Sequence, residues 1–515
     1  MRNKKGFTLI ELLAVIIILA VIALIATPIV LNVIDNARKS ANKDSAYGLL
    51  DSAKLYYMES LLDESKSLSG NLIDKINVSG SKPDSGTGTV YINNKGEIAL
   101  AVVYDKVCYI KNYSDTDLTE SSDIENCIVT VPRELYKDTV LNGADPELKD
   151  NLVAVTINTD GTVKKADIYS EWYNYTNKTW ANAVLLNGND TYKVGDTIIE
   201  DAIKAYYVWI PRYKYQIFYD GTNATTKQLI NIEFENKDTT KSNGTTKYSW
   251  LTHPAFTFGD TELNGIWVGK FELTGDTNNP TIKPNVKSLR NANVSTLFLT
   301  TQKLSANTAM LKNMEWGAIA YLTTSIYGQG LTEIRINNSS TFTTGCAASV
   351  ENGASYNGCE NEYYKSIGYL ASTTGNISGI YDMSGGAWEY VMGVMEDSLN
   401  SSVPASGYSS GSNSGFTGKN LYDDTSTTGV SFPDSKYYDI YTYGTSSSDY
   451  TRYHLGDATI ETIGWNDDYT KFVSSTDLWL LRGGIYSDGI KSGVLAFSSN
   501  GGRPYNIGST RAVLR

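Results

Sequence analysis

Between Glu11 and Asp35 the chain carries no charge, and the 23 residues Leu12–Ile34 are almost all Leu, Ile, Val and Ala. A helix rises about 1.5 Å per residue, so about 20 such residues cross a hydrocarbon core about 30 Å thick. Whatever else the chain builds, this segment needs shelter from water, in lipid or against like helices. Lys4 and Lys5 stand before it, so the basic end is expected to stay cytoplasmic while the large remainder is carried across. A discarded secretion signal has a shorter apolar core followed by a small-residue cleavage site. Here the small residue, Gly6, comes before the apolar core.

Glu11 is the exception in this setting, because a carboxylate at the start of a spanning helix is costly without a partner and marks function by default. Cleavage after Gly6 would expose a positive amine on Phe7, which Glu11 of an adjacent copy would neutralise. The run Lys4, Lys5, Gly6, Phe7, Thr8, Leu9, Ile10, Glu11, Leu12 resembles the leader and first helix of type IV prepilins and pseudopilins. That resemblance implies cleavage between Gly6 and Phe7 and N-methylation of Phe7 by a prepilin peptidase. It also implies assembly with other pilin or pseudopilin subunits through packed N-terminal helices, with Pro28 where many such helices bend. Asp35–Leu62 continues as an amphipathic helix. The expected leader is 1–6 and the helix 7–62.

The 515 residues exceed what one core organises. Antiparallel strands are expected around a turn at Asn93–Gly96 and around Asp160–Gly161, giving a small pilin-like β domain over 63–170. Residues 171–205 read as a linker, with Trp172 and Trp180 packing a junction or, alternatively, stacking on a ligand. The fold class is α+β. The formal charge is −12, from 44 Lys and Arg against 56 Asp and Glu, with no basic cluster beyond the leader, so nucleic acid is not an expected partner.

The four cysteines form two local pairs, Cys108 with Cys127 and Cys346 with Cys359. Neither has the close spacing of a redox centre or zinc knuckle. In an exported protein each pair can staple a polar loop, and free thiols are the alternative.

From 206 to 515 a set of dispersed blocks accumulates: Tyr206–Phe218, Gly265–Gly275, a short helix from Asn313, Gly379–Gly393 and Leu478–Leu514. In the fourth, Tyr381, Asp382, Met383, Gly385, Trp388 and Glu389 are similar to a block of the formylglycine-generating-enzyme, or sulfatase-modifying-factor, family, a branch of the C-type-lectin-like fold. Gly386, Ala387 and Tyr390 depart from it. Arg482, Gly483 and Gly484 match a later element, whereas Arg511 is displaced from the usual ending. The family's oxygenase chemistry requires late cysteines that hold copper(I), and no cysteine follows Cys359. His253 and His454 stand isolated. The domain is therefore expected to be non-catalytic, with no required cofactor.

Rigid sheets with long loops suit binding. The end of the chain also resembles the variable region of retroelement-diversified proteins, and the candidate ligand surface is Tyr486, Asp488, Phe497, Asn500, Arg503, Tyr505 and Asn506. A surface glycan or protein is the expected ligand. Asp467 and Asp468 lie in a turn whose oxygens would suit calcium, with no full ligand set to count. The expected function is a minor or tip-like type IV pilin displaying an adhesive head. The alternatives are a structural pseudopilin of a type II secretion or DNA-uptake apparatus and, third, a metal-dependent enzyme.

Overall fold

A computed structural model describes residues 8–63, 70–77, 81–84, 88–129 without 94, 135–219 without 150, 226–244, 248–348, 361–397, 429–441, 455–474 and 477–515, together with 66, 68, 400–404, 414–416, 418–419 and 426–427. The expected sites Gly6, Phe7 and Cys359, and His454, lie outside the described residues. The chain divides into two compact units, 1–134 and 135–515.

Unit 1 begins with α1, Leu9–Ser60, a single 52-residue helix with Pro28 inside it. Its apolar first half is exposed along its whole length, Leu24 by 77% and Ile25 by 60%. The second half buries Ala46, Leu49, Leu50 and Ala53 against an antiparallel sheet of β1 Thr89–Ile92, β2 Ile98–Tyr104, β3 Val107–Lys111 and β4 Thr119–Ser121, in that order. Small residues at 46 and 53 let the helix approach the sheet closely. The Tyr109 hydroxyl donates to the Lys39 carbonyl at 3.4 Å, and Lys43 pairs with Glu120 at 2.9 Å. The turn expected at Asn93–Gly96 joins β1 to β2, with Ile92 opposite Ile98.

Cys108 and Cys127 form a disulfide across 19 residues. Cys346 is also disulfide-bonded. Replacing both Cys108 and Cys127 by Ser is expected to cost unit 1 about 2–4 kcal/mol, seen as an earlier urea transition for this unit alone.

Unit 2 is built on an eight-stranded sheet. Its strands are β5 Leu152–Ile157, β6 Val163–Lys165, β7 Asn182–Leu186, β8 Thr197–Ile198, β9 Ile203–Pro211, β10 Gly265–Gly269, β11 Thr308–Met310 and one near the end of the sequence, Ala512–Leu514. Their spatial order is β11, Ala512–Leu514, β10, β9, β7, β5, β6, β8. Two domain boundaries are thereby corrected. The small β domain does not reach 170, because β5 pairs with β7, and β6 pairs with β5 and β8, all within the sheet of unit 2. Residues 171–205 are no linker, since β7 lies between β5 and β9. Trp172 and Trp180 sit in the core of this one unit; Trp180 donates its indole N–H to the Tyr327 carbonyl at 2.9 Å.

A second sheet carries the later motifs. Its central strand, β12 Trp388–Asp397, pairs parallel with β13 Asp439–Tyr441, antiparallel with β14 Trp479–Gly483 and parallel with β16 Gly508–Thr510. Strand β15 Gly493–Asn500 extends the sheet beyond β14. Ala512–Leu514 is β17. The α2 helix Val294–Thr301 and α3 helix Asn313–Thr323 pack between these layers. The sequence places Trp316, Ile319, Ala320 and Thr323 on one buried face of α3, but all eleven of its residues are buried, because unit 2 covers the helix from every side. Pro211 ends the interior strand β9, where it faces Gly265.

Candidate functional site

At the N-terminal end, Thr8 caps α1. Its backbone N–H and its hydroxyl both donate to Glu11 Oε2 at 2.9 Å, and the Glu11 N–H donates back to Thr8 Oγ1 at 3.4 Å. This capping box places a carboxylate at the positive end of the helix dipole. Glu11 thus has a partner within its own chain, four residues from where cleavage after Gly6 would create an amine.

In unit 2 the motif residues are buried supports. Parallel pairing sets Glu389 opposite Ser509, which delivers Arg511 to Glu389. The Arg511 Nε donates to Glu389 Oε2 at 3.1 Å, Nη1 to the Gly269 carbonyl at 2.8 Å and Nη2 to the Tyr381 carbonyl at 2.9 Å. Both side chains are fully buried. Burial outweighs Arg511's attraction and raises the Glu389 carboxyl to about 7. Asp382 accepts from the Gly345 N–H at 3.0 Å and Asn337 Nδ2 at 2.9 Å. Arg482 Nη2 donates to the Ala458 carbonyl at 2.9 Å. Gly484 has φ +82°, and a Cβ there would lie 2.5 Å from Ser492 Oγ, so glycine is required.

Lys270, which the sequence does not flag, is fully buried. Its ammonium donates to Asn182 Oδ1 at 2.8 Å, the Ile377 carbonyl at 2.6 Å and the Gly379 carbonyl at 2.8 Å, one neutral acceptor for each proton. It thereby ties β7 to the loop leading into the Tyr381 block. Lys270→Met leaves these acceptors without a partner, each at about 1–3 kcal/mol, and is expected to lower the melting temperature of unit 2 while leaving that of unit 1 in place.

The seven candidate ligand residues separate into two groups. Arg503 and Asn506 are exposed, and Tyr486, Asp488 and Tyr505 are half-buried. Arg503, Asp488, Lys471 and Tyr469 all lie close enough to Tyr505 to act on its hydroxyl electrostatically. Tyr469 also meets Trp388 edge-on at 5.9 Å. Beside them Tyr486 packs edge-on against Phe342 at 5.0 Å, and the Arg290 guanidinium lies 3.8 Å from the Phe342 ring centre. Arg290 also donates to the Asn506 carbonyl.

Phe497 and Asn500 are corrections. Both lie on β15, where Phe497 packs against Ile460 and Phe472 and is 1% exposed. Asn500 Oδ1 accepts from the Tyr390 hydroxyl at 2.9 Å. Strand pairing turns both inward, so they support the surface from below. Sequence reading missed Tyr469, Lys471 and Arg290. Tyr469 lies one residue beyond the acidic pair already singled out, a faint signal; Arg290 had none.

Asp468 is buried and its Oδ2 accepts from the Leu495 N–H at 3.1 Å, while Asp467 is exposed. Among the described residues no group of three or more His, Cys, Asp or Glu is arranged to hold a metal. His253 is buried, with Nε2 at 2.9 Å from the Gly456 carbonyl, and burial lowers it to about 3.

Two further buried carboxyls close the segment before the turn onto α3. Asp457 accepts from the Tyr441 hydroxyl at 2.8 Å and Thr459 Oγ1 at 2.6 Å. Glu461 Oε1 accepts from the Gly456 N–H at 2.9 Å and the Ala458 N–H at 3.2 Å. Desolvation raises both above the usual carboxyl range, Asp457 well above it. A carboxyl whose pKa is higher folded than unfolded stabilises the fold fully below its unfolded value, about 4, and progressively less as pH rises through the folded value. Unit 2 is therefore expected to unfold at lower denaturant near pH 8 than near about pH 5. Asp457→Asn should flatten that dependence.

Residues 1–27 match the family model described as Prokaryotic N-terminal methylation motif. The protein is accordingly type IV pilin-like at its N-terminus. The motif carries with it processing by a prepilin peptidase, membrane anchoring and assembly with other pilins through α1. No curated protein matches the chain. Among solved structures it is similar to the Major Tropism Determinant U1 Variant at 11% identity and a TM-score of 0.26, over 86% of this chain and 97% of that one. That superposition is too loose to relate individual elements.

Proposed function

We propose that the protein is a minor or tip-like type IV pilin whose unit 2 is a non-catalytic binding head displayed outside the cell. The observation that carries this reading is the surface of Tyr469, Tyr486, Asp488, Arg503 and Tyr505 above a buried hydrogen-bonded support. Aromatic rings beside Arg and Asp can stack on and hydrogen-bond to a glycan or a protein surface. The motif residues that resemble an oxygenase family are spent on buried contacts, which favours binding over turnover. A head spanning 135–515 on every subunit would crowd a thin filament, which favours low-abundance or terminal placement.

The test uses the full chain in detergent against panels of surface glycans and proteins. Tyr505→Ala, Arg503→Ala and Tyr486→Ala are each expected to weaken binding about tenfold or more, the loss typical of a central interface residue. Their melting temperatures should stay close to wild type for Arg503→Ala and Tyr505→Ala. A folded chain that binds only neighbouring pilins would instead make it a structural pseudopilin.

A further inference from the structure

A small cavity in unit 2 brings together residues remote in sequence: Lys227, Thr332, Glu333, Ile334, Asn466 and Val494. Lys227 follows the strand Tyr213–Gln216, Glu333 lies in the loop after α3, and Asn466 belongs to the acidic turn. Lys227 Nζ is 2.8 Å from Asn466 Oδ1 and 3.1 Å from the Leu331 carbonyl. The amine therefore lies against the carboxamide group, across 239 residues of sequence. Glu333 Oε1 is buried and has no hydrogen-bond partner among the described residues, as is also the case for Oδ1 of Asp468.

We propose that Lys227 Nζ and Asn466 Cγ join in an intramolecular isopeptide bond, with Glu333 carrying the protons. The cavity supplies the three groups that such a reaction needs: an amine, a carboxamide within contact distance and a carboxyl with no other commitment. Apolar walls from Ile334 and Val494 favour the uncharged forms of the reactants. Burial lowers the Lys227 ammonium and raises the Glu333 carboxyl, so each group gives up its charge more readily here than in water. In the first step the Nζ lone pair forms a bond to Cγ, Glu333 protonates the carbonyl oxygen, and the resulting carboxylate takes a proton from Nζ. In the second, Glu333 passes that proton to Nδ2, the Cγ–Nδ2 bond breaks and ammonia leaves, and as the carbonyl re-forms its hydroxyl proton returns to the Glu333 carboxylate. One C–N bond forms and one breaks, with no oxidant or reductant. The product ties the loop after Tyr213–Gln216 covalently to the turn that leads into β14.

The experiment is an intact-mass measurement on the disulfide-reduced full chain in detergent, followed by peptide mapping. The expected result is a chain lighter by one ammonia molecule and a branched peptide joining the Lys227 and Asn466 segments. Lys227→Arg should restore the full mass and linear peptides, and Glu333→Gln should do the same with the wild-type circular dichroism spectrum. Wild-type digests containing Lys227 and Asn466 only in separate linear peptides would overturn the proposal. So would an ammonia loss mapped to a ring-closed Asn–Gly site such as Asn264–Gly265. A branched peptide in Glu333→Gln would overturn Glu333 as the proton carrier.

Discussion

Arg511→Met is expected to destabilise unit 2 by about 3–5 kcal/mol, the usual cost of breaking a buried ion pair from one side. The side chain it removes is fully buried and serves two carbonyl acceptors besides completing the charge pair with Glu389. The loss is expected to grow with pH, because Glu389, raised to about 7 in the intact protein, must then ionise in a dry site without a counter-charge. Urea unfolding of the full chain at several pH values, with unit 1 followed separately through the Cys108–Cys127 region, measures it. An unchanged unit 2 midpoint would remove the pair as a stabilising element. Arg503→Ala is the control, since that side chain is exposed and such substitutions usually fall within about 0.5 kcal/mol of wild type.

The second large effect is at the other end. Gly6→Leu is expected to leave the leader in place, read as the intact mass of the unprocessed chain, and to keep the protein out of filaments. Glu11→Leu is expected to permit processing but abolish incorporation, so that the protein stays in membrane fractions and is missing from sheared surface material. The physical reason is that the new amine and Glu11 compensate one another at the start of a helix whose first half is apolar. Incorporation of the Glu11→Leu chain at wild-type levels would show that apolar packing of α1 suffices.

These two sites differed in how visible they were in the sequence. The pilin-like end is one-dimensional: an uncharged run, a glycine before it and a carboxylate at a fixed place can be read without knowing the fold. Local hairpins were equally visible, as at Asn93–Gly96. What could not be read was which strands meet. β5 and β6 look like any polar hairpin, and nothing in their composition says that they join β7 and β9 rather than unit 1, so the domain boundary was misplaced. For the same reason Phe497 and Asn500 read as surface residues beside Arg503, although strand pairing turns them inward. Lys270 and Lys227 gave no signal, because their roles arise from acceptors and carboxyls brought from far along the chain.

The position of β17 has a kinetic consequence. It lies between β10 and β11, and its Val513 pairs with Val268, so the larger sheet stays open until residues some 240 positions downstream arrive. Arg511, just before it, completes the buried pair at the same moment. Contacts this distant in sequence make folding slow and leave edge strands and apolar faces uncovered meanwhile. Synthesis and folding are thereby ordered: unit 2 matures late, after most of the polypeptide has been made, and an interrupted chain yields an unclosed sheet rather than a smaller complete domain.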